Sequence, residues 1–175
     1  IFSGKAAFAS LKRAYEAASL KLADAIITAP VSKTAFKFAG IKYPGQTEIL
    51  AKFSKSKNYL MVFLSNKFIC GLTTIHEPIK NVSKLITKQR IVSSIKTLNE
   101  TLVKDLGKSS PKIAVLGLNP HAGENGNIGE EELSSIGPAI RSIKNISVEG
   151  PFVPDAFFGN HKHEDYDAVL GMYHD

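Results

Sequence analysis

The sequence contains little cysteine and no long apolar run, and each shortage excludes a class of protein. A single cysteine, Cys70, excludes an internal disulfide framework and favours a reducing compartment, so we expect a cytoplasmic protein. No apolar stretch approaches the ~20 residues that a membrane-spanning helix needs, so we expect a soluble protein with no membrane partner. No signal-peptide pattern is recognisable at the beginning of the chain.

The chain of 175 residues is 43% hydrophobic, which is enough for one globular domain with a sizeable core. It begins at Ile1 inside a helical pattern and stops at Asp175 soon after an apolar run. Natural chains more often end in a polar tail or a completed helix. We therefore interpret residues 1–175 as a single α/β segment that is the central fragment of a longer protein.

Positive and negative charges are distributed unevenly along the chain. Residues 1–112 contain 19 Lys and Arg against 6 Asp and Glu, whereas residues 113–175 contain 3 against 10. The lysines are spread at helical spacing, as at Lys80, Lys84 and Lys88, without arginine clusters or interleaved aromatics. We therefore expect a solvated helix face and no nucleic acid as a partner. A basic nucleic-acid-binding module is the alternative.

Helical periodicity and short apolar runs alternate along the chain. Helices are predicted at residues 4–23, 32–40, 47 onward, 81–104 and 130–143. Strands are predicted at residues 24–29, 59–64, 68–74, 112–118, 148–152 and 168–173. Three turn residues separate the second and third of these strands, which predicts a hairpin and hence a mixed sheet within an α/β fold.

Two histidines follow predicted strands, where open α/β sheets bind their ligands. His121 lies in a loop with three glycines at three-residue spacing, which let the backbone approach a ligand closely. His174 follows the strand at 168–173, and Asp175 is placed to orient its ring. Two imidazoles with carboxylates suit Zn²⁺ or another divalent ion. The spacing alone leaves open whether the two strand ends are neighbours, and a surface role for His121 is the alternative.

Six sequence blocks occur in the order of one enzyme family. They are Thr-Ala-Pro-Val-Ser-Lys at 28–33, Tyr-Pro-Gly-Gln-Thr-Glu at 43–48, Thr-Thr-Ile-His-Glu-Pro at 73–78, Gly-Leu-Asn-Pro-His-Ala-Gly-Glu at 117–124, Gly-Pro at 150–151 with Pro-Asp at 154–155, and Met-Tyr-His-Asp at 172–175. Together they resemble the 4-hydroxythreonine-4-phosphate dehydrogenase family over essentially the whole chain.

This resemblance implies an isocitrate/isopropylmalate-dehydrogenase-like fold of α/β/α layers, with the chain as the central metal-binding and dimerisation part of a homodimer. It implies oxidation of 4-phosphooxy-L-threonine, a phosphorylated hydroxy-amino acid, with NAD or NADP, followed by decarboxylation, in pyridoxal phosphate biosynthesis. A sister enzyme for threonate or erythronate 4-phosphate is one alternative, and a non-catalytic scaffold is another. We expect the isolated fragment to be inactive.

In the family resemblance, His121 and His174 match two metal ligands that come from different subunits. The third family ligand is a histidine in a Gly-His-Thr-Glu block, and Gln46 stands at that position here. An amide oxygen is a harder ligand than imidazole, so Mg²⁺ and Mn²⁺ become candidates beside Zn²⁺. Alternatively, Gln46 only hydrogen-bonds nearby. The cation would lower the pKa of the substrate alcohol and stabilise the oxyanion that hydride departure leaves.

Lys33 and Asp155 are the candidate proton-transfer residues. Lys33 follows a predicted strand and could move a proton or pair with phosphate, the alternative being an ordinary lysine at a helix start. Asp155 could lie near the metal, the alternative being a helix N-cap or turn.

Three further positions carry weaker signals. His76 belongs to a family block, and we expect a structural or near-site role for it. His161 and His163 form a His-x-His pattern, for which a solvated loop is the favoured interpretation over a metal site. Cys70 has apolar neighbours and is expected to be a buried, inert thiol.

Overall fold

The computed structural model describes residues 1–43 and 45–174. The chain forms two compact units, Ile1–Lys57 and Asn58–Asp175, each with its own hydrophobic core. None of the described helices is long and apolar enough to cross a bilayer.

Three helices make up the first unit: α1 (Phe2–Ser19), α2 (Lys33–Phe38) and α3 (Gln46–Phe53). Leu11, Phe36 and Ile49, one from each helix, form its buried core. The side-chain oxygen of Ser32 accepts a hydrogen bond from the N–H of Ala35 at 3.2 Å, as an N-cap serine does. The three helices that periodicity predicted in this part of the chain are therefore confirmed.

The predicted strand at residues 24–29 is wrong. These residues form no regular structure, and Ile27 is 97% exposed. A strand is stable only where its N–H and C=O groups pair with a neighbouring strand. The described part of the first unit contains no other strand, so an apolar run alone was a misleading signal.

Five strands form one mixed sheet in the second unit: β1 (Met61–Leu64), β2 (Ile69–Leu72), β3 (Lys112–Leu116), β4 (Ser147–Phe152) and β5 (Ala168–Gly171). Their order is β1-β2-β5-β3-β4, and every described pair is parallel except β1 with β2. In the β1–β2 hairpin, Ser65 Oγ accepts hydrogen bonds from the N–H groups of Lys67 and Phe68. The predicted hairpin and mixed sheet are confirmed.

The predicted helix at residues 81–104 is two helices, α4 (Ile79–Leu85) and α5 (Lys88–Lys104). Ile86 leaves the helical conformation, and Thr87 adopts extended backbone. The Thr87 hydroxyl oxygen then accepts a hydrogen bond from the N–H of Arg90 at 3.3 Å and begins α5. The apolar stripe continues across the break, and this continuity produced the error.

The predicted helix at residues 130–143 is also interrupted. One π-helical turn (Glu132–Ile136) precedes α6 (Gly137–Ser142). Pro138 has no backbone N–H to donate to the preceding turn, which favours the wider turn before it. Single π-helical turns inside helices are frequent at functional sites.

Helices cover both faces of the sheet. Ile113 and Val115 of β3 join one core with residues of α4, α5 and α6, whereas Ala114 and Leu116 face the other side. Phe157 of α7 (Pro154–Gly159), a helix that the sequence did not predict, packs in this second core. The predicted α/β class, with helices layered on a mixed sheet, is confirmed.

Asp167 joins the amino ends of β3 and β5. Its Oδ1 lies 2.9 Å from Nζ of Lys108, and its Oδ2 accepts a hydrogen bond from the N–H of Lys112 at 2.9 Å. Burial opposes ionisation of this carboxyl, but the Lys108 ammonium and the Lys112 N–H outweigh it. The pKa of Asp167 therefore lies below its ordinary value.

We expect Asp167→Asn to lower the free energy of unfolding at pH 7. A depressed carboxyl pKa contributes stability that is present above the unfolded pKa of about 3.9 and is lost as the pH falls through the folded value. As the pH falls below about 5, the wild-type chain should therefore lose a contribution to its stability that Asp167→Asn lacks at every pH. Urea unfolding followed by circular dichroism at several pH values measures this, with the exposed Asp165→Asn as the control. Parallel pH curves for wild type and Asp167→Asn would contradict it.

Candidate functional site

Four segments leave the sheet of the second unit at one edge. Because β2, β5, β3 and β4 are parallel, their carboxyl ends lie side by side. Neighbouring strands are ~4.8 Å apart, and open α/β sheets bind ligands at this edge. The residues that follow these strands include, in this spatial order, His76, His174, His121 and Asp155. His121 and His174 therefore follow adjacent strands, which the sequence spacing had left open.

His174 and His76 lie next to each other. Their ring centroids are 6.0 Å apart, with 33° between the ring planes. The segments that follow β2 and β5 stay paired beyond the strand ends. The carbonyl oxygen of Met172 accepts hydrogen bonds from the Thr74 N–H at 3.1 Å and from the Thr74 hydroxyl at 2.8 Å. Of the structural and near-site roles expected for His76, its position beside His174 favours the near-site role.

Both imidazoles are accessible to a ligand. His76 and His174 are exposed, and Phe63 packs against His174 with ring centroids 5.6 Å apart and planes at 75°. An edge-on aromatic neighbour restricts the tilt of the His174 ring. The orienting role predicted for Asp175 lies outside the described residues.

His121 begins a run of left-handed backbone. Five consecutive residues have φ between 44° and 78°: His121, Ala122, Gly123, Glu124 and Asn125. The left-handed conformation costs roughly 1–2 kcal/mol for each residue with a side chain. Strained segments of this kind persist only where surrounding contacts hold them, and they cluster at ligand sites. The exposed His121 side chain is therefore held on a strained loop.

The carboxylate of Glu132 holds the segment that leads to His121. Its Oε1 accepts hydrogen bonds from the N–H of Leu118 at 2.7 Å and of Asn119 at 2.8 Å, and its Oε2 accepts one from Nδ2 of Asn119 at 2.9 Å. Glu132 is only 4% exposed. A buried carboxylate is tolerated when such charge-assisted bonds satisfy it, and these bonds fix the backbone directly before Pro120.

Sequence reasoning missed Glu132, because it assigned the acidic residues at 130–132 to the start of a helix. One signal was available. Glu132 stands four residues before the buried Ile136, on the face that carries the core. A carboxylate on a core face requires hydrogen-bond partners, and the preceding loop supplies them.

Asp155 lies in the first turn of α7, beyond the end of β4, and its side chain is exposed. The N-cap position of α7 is occupied by Val153, so the N-cap interpretation of Asp155 is wrong. The structure leaves this carboxylate accessible at the edge of the sheet that carries His121 and His174.

Lys33 and Gln46 belong to the first unit. Lys33 is the exposed first residue of α2. Gln46 is the first residue of α3, and its Nε2 donates a hydrogen bond to the carbonyl oxygen of Ala29 at 3.0 Å. It also lines a cavity of 330 Å³ with residues 26–31. Because the amide nitrogen is engaged, the amide oxygen is the atom that Gln46 can offer to a cation.

Two other predictions concern residues away from this edge. Cys70 is half-buried and not fully buried as predicted. Burial nevertheless raises the pKa of its thiol, with a hydrogen bond from Gly171 partly opposing the shift, which favours the unreactive thiol form. The segment with His161 and His163 was predicted to be a solvated loop. It forms a 3-10 helix (Lys162–Asp165) instead of an irregular loop. Solvation is confirmed for His161, which is exposed, whereas His163 is half-buried.

We expect Gly123→Ala to destabilise the second unit more than Gly107→Ala. Both glycines have positive φ, 78° and 69°, so both variants pay the conformational cost of a side chain there. At Gly107 nothing lies within 4 Å of an added Cβ, whereas at Gly123 the carbonyl oxygen of Gly129 would lie 2.6 Å away and Oε2 of Glu132 2.7 Å away. Urea unfolding measures the difference, and equal losses would show that the loop does not pack against Glu132.

We expect Glu132→Gln to lower the free energy of unfolding by about 1–3 kcal/mol, because it replaces a charged acceptor and can place an amide N–H₂ against Nδ2 of Asn119. The exposed Glu130→Gln is the control and should change stability by less than about 0.5 kcal/mol. Chemical denaturation measures both. Equal stability of the two variants would contradict the anchoring role of Glu132.

Known proteins of one family are similar to this chain over almost its whole length. The model of the family described as pyridoxal phosphate biosynthetic protein PdxA matches residues 2–175. The 4-hydroxythreonine-4-phosphate dehydrogenases of Sulfurihydrogenibium sp. (strain YO3AOP1) and Aquifex aeolicus (strain VF5) are 42% and 43% identical to this chain, over 99% and 100% of it. The alignments cover 54% of each relative, so the chain spans about half the length of these relatives.

Solved structures of related dehydrogenases also superpose on nearly the whole chain. A 4-hydroxythreonine-4-phosphate dehydrogenase from Klebsiella pneumoniae superposes on 98% of this chain and 53% of its own, with a TM-score of 0.90 and 37% identity. A terephthalate 1,2-cis-dihydrodiol dehydrogenase from Burkholderia xenovorans LB400 matches 98% of this chain with a TM-score of 0.73 and 28% identity. Since the family model and several relatives match nearly all of it, the chain belongs to the pyridoxal phosphate biosynthetic protein PdxA family.

Proposed function

We propose that the protein to which this chain belongs is a divalent-metal-dependent dehydrogenase that oxidises and decarboxylates 4-phosphooxy-L-threonine with NAD or NADP, in pyridoxal phosphate biosynthesis. Relatives that carry the name 4-hydroxythreonine-4-phosphate dehydrogenase support the reaction. In this proposal the chain is the central metal-binding and dimerisation part of a cytoplasmic homodimer, and the whole protein is required for turnover.

One observation carries the metal assignment. β3 and β5 are adjacent and parallel, with Val115 opposite Leu170, so the segments with His121 and His174 leave the sheet side by side. Imidazole is a ligand for borderline divalent metals such as Zn²⁺, and both rings are exposed to receive one. The donor set of the second unit therefore fits a divalent cation, and the family resemblance implies that the His121 and His174 side chains on one cation come from different subunits of the homodimer.

Gln46 is the proposed third ligand because it stands at the position of a ligand histidine in the family that this chain resembles. Its amide nitrogen already donates to Ala29, which presents the amide oxygen as the available donor. An oxygen donor in place of a third imidazole moves the preference toward harder cations. We therefore keep Mg²⁺ and Mn²⁺ beside Zn²⁺ as the metal. When bound, the cation would supply Lewis-acid stabilisation of negative charge on a substrate oxygen.

His121, His174 and Gln46 would hold that cation, and through it they would orient the substrate. The bonds from Glu132 to Leu118 and Asn119 keep the His121 loop in place, which preorganises the site. A bound nicotinamide cofactor would supply the hydride acceptor, and the chain's own residues would position the substrate.

Lys33 and Asp155 are the proposed proton-transfer residues. Both side chains are exposed, so each is accessible to substrate. A lysine ammonium can also pair with a phosphate group, and an ionised carboxylate can accept the proton of a substrate hydroxyl.

The arrangement of the lysines favours a solvated surface over a nucleic-acid site. Lys80, Lys84 and Lys88 are exposed, as predicted for solvated residues, but they lie on two different helices. A continuous basic stripe along one helix, which would track a phosphate backbone, is thus interrupted at Ile86. We propose that the partner is a small phosphorylated acid and not a nucleic acid.

The test uses the full-length protein that contains this chain. We expect His121→Ala and His174→Ala each to weaken Mn²⁺ or Zn²⁺ binding by at least tenfold, since one ligand is removed, and to abolish most turnover of 4-phosphooxy-L-threonine. Calorimetry and a nicotinamide absorbance assay with NAD⁺ and NADP⁺ measure these effects. Asp165→Asn, an exposed residue at the opposite edge of the sheet, is the control and should keep full turnover and unchanged metal affinity.

Two outcomes would overturn parts of the proposal. Full turnover in both site variants would remove the metal assignment. Turnover of threonate or erythronate 4-phosphate in preference to 4-phosphooxy-L-threonine would replace the substrate and keep the site.

A further inference from the structure

We propose a second divalent-metal site in the second unit, formed by His161, His163 and Glu164. One ligand atom from each of these residues lies within 4.8 Å of the other two. Nδ1 of His161 and Oε1 of Glu164 are already 3.3 Å apart. Two imidazoles and one carboxylate form the donor set of many three-ligand zinc sites, in which water completes the coordination.

This cluster is separate from the candidate site described above. It lies between α7 and β5, on the 3-10 helix that precedes β5. β5 begins at Ala168 and ends at Gly171, so Glu164 and His174 lie on opposite sides of the strand along the chain. The proposed second site is thus at the amino edge of the parallel strands, and His174 is at the carboxyl edge.

The surroundings of His163 give a second, independent indication of a ligand. Phe68 and Phe158 hold its ring, with centroid distances of 5.9 Å and 5.5 Å. Its Nδ1 is shielded from solvent and has no hydrogen-bond partner among the residues that the structure describes. A shielded ring nitrogen normally has a polar partner, and a cation on the imidazole is one way to fix its tautomer and complete its bonding.

The geometry allows a cation to bind with small movements. Ligand atoms around a tetrahedral zinc lie about 3.4 Å apart, as bond lengths of about 2.0–2.1 Å require. His161 and Glu164 have exposed side chains, 76% and 68%, so both can rotate toward the fixed His163 ring. His163 and Glu164 also line a cavity of 390 Å³, which provides an approach for a hydrated ion.

A cation here would join the end of the α7 segment to the start of β5. It would hold His161 and Glu164, which are otherwise exposed, against a ring that Phe68 fixes beside β2. Its effect is therefore on the stability of the sheet's amino edge, because a ligand that binds only the folded state raises the unfolding temperature.

Zn²⁺ titration by calorimetry tests the proposal in the whole chain carrying His121→Ala and His174→Ala, which removes the first proposed site. We expect one Zn²⁺ per chain to bind in this background. His161→Ala and Glu164→Gln, both at exposed positions that should leave folding intact, should each weaken that binding by at least about tenfold. Asp165→Asn, a neighbouring exposed carboxylate outside the cluster, should leave the affinity unchanged.

Thermal unfolding gives a second measurement. Zn²⁺ should raise the unfolding temperature of the background variant and of Asp165→Asn, and it should not raise that of His161→Ala. Absence of Zn²⁺ binding in the background variant would overturn the proposal, and so would equal affinity in His161→Ala. Since this background lacks His121 and His174, neither result depends on the proposed dehydrogenase site.

Discussion

The hydrogen bonds from Leu118 and Asn119 to the buried Glu132 carboxylate are the interaction on which the candidate site depends. The left-handed run that begins at His121 includes four residues with side chains, and at roughly 1–2 kcal/mol each their conformation costs several kcal/mol. Charge-assisted bonds at a buried site contribute about 1.5–3 kcal/mol each. The strained loop and the buried carboxylate therefore stabilise each other, since the loop satisfies a charge that would otherwise be costly to bury.

The parallel pairing of β2, β5 and β3 explains why residues far apart in sequence meet. The pairing continues past the strand ends, where Thr74 bonds twice to the Met172 carbonyl oxygen, and it brings His76 within 6.0 Å of His174. The positions of these imidazoles thus follow from backbone hydrogen bonds of the sheet. Among the described residues, Phe63 adds an edge-on contact with the His174 ring.

Periodicity was sufficient for most elements and insufficient where a local hydrogen bond changes the backbone path. The apolar stripe at 81–104 was recognised correctly, but the Thr87 cap that divides it was not. The run at 24–29 has the composition of a strand, and strand formation depends on a pairing partner that composition does not encode. The family blocks pointed to His121 and His174 as candidate ligands. Glu132 and the left-handed loop depend on three-dimensional packing. Their prediction would have required the inference that a carboxylate on a core face needs hydrogen-bond partners nearby.

The two edges of the sheet differ in their contacts and in their accessibility to a ligand. At the carboxyl edge, exposed imidazoles and a strained loop are available to a ligand, at a cost in stability. At the amino edge, Asp167 bonds to Lys108 and to the first residue of β3, and the proposed cation at His161, His163 and Glu164 would add a second link before β5. Stabilising contacts at one edge can offset strain at the other because the strands between them are buried and rigidly packed. The amino-edge contacts thus add to the stability of the same unit that carries the strained loop at His121.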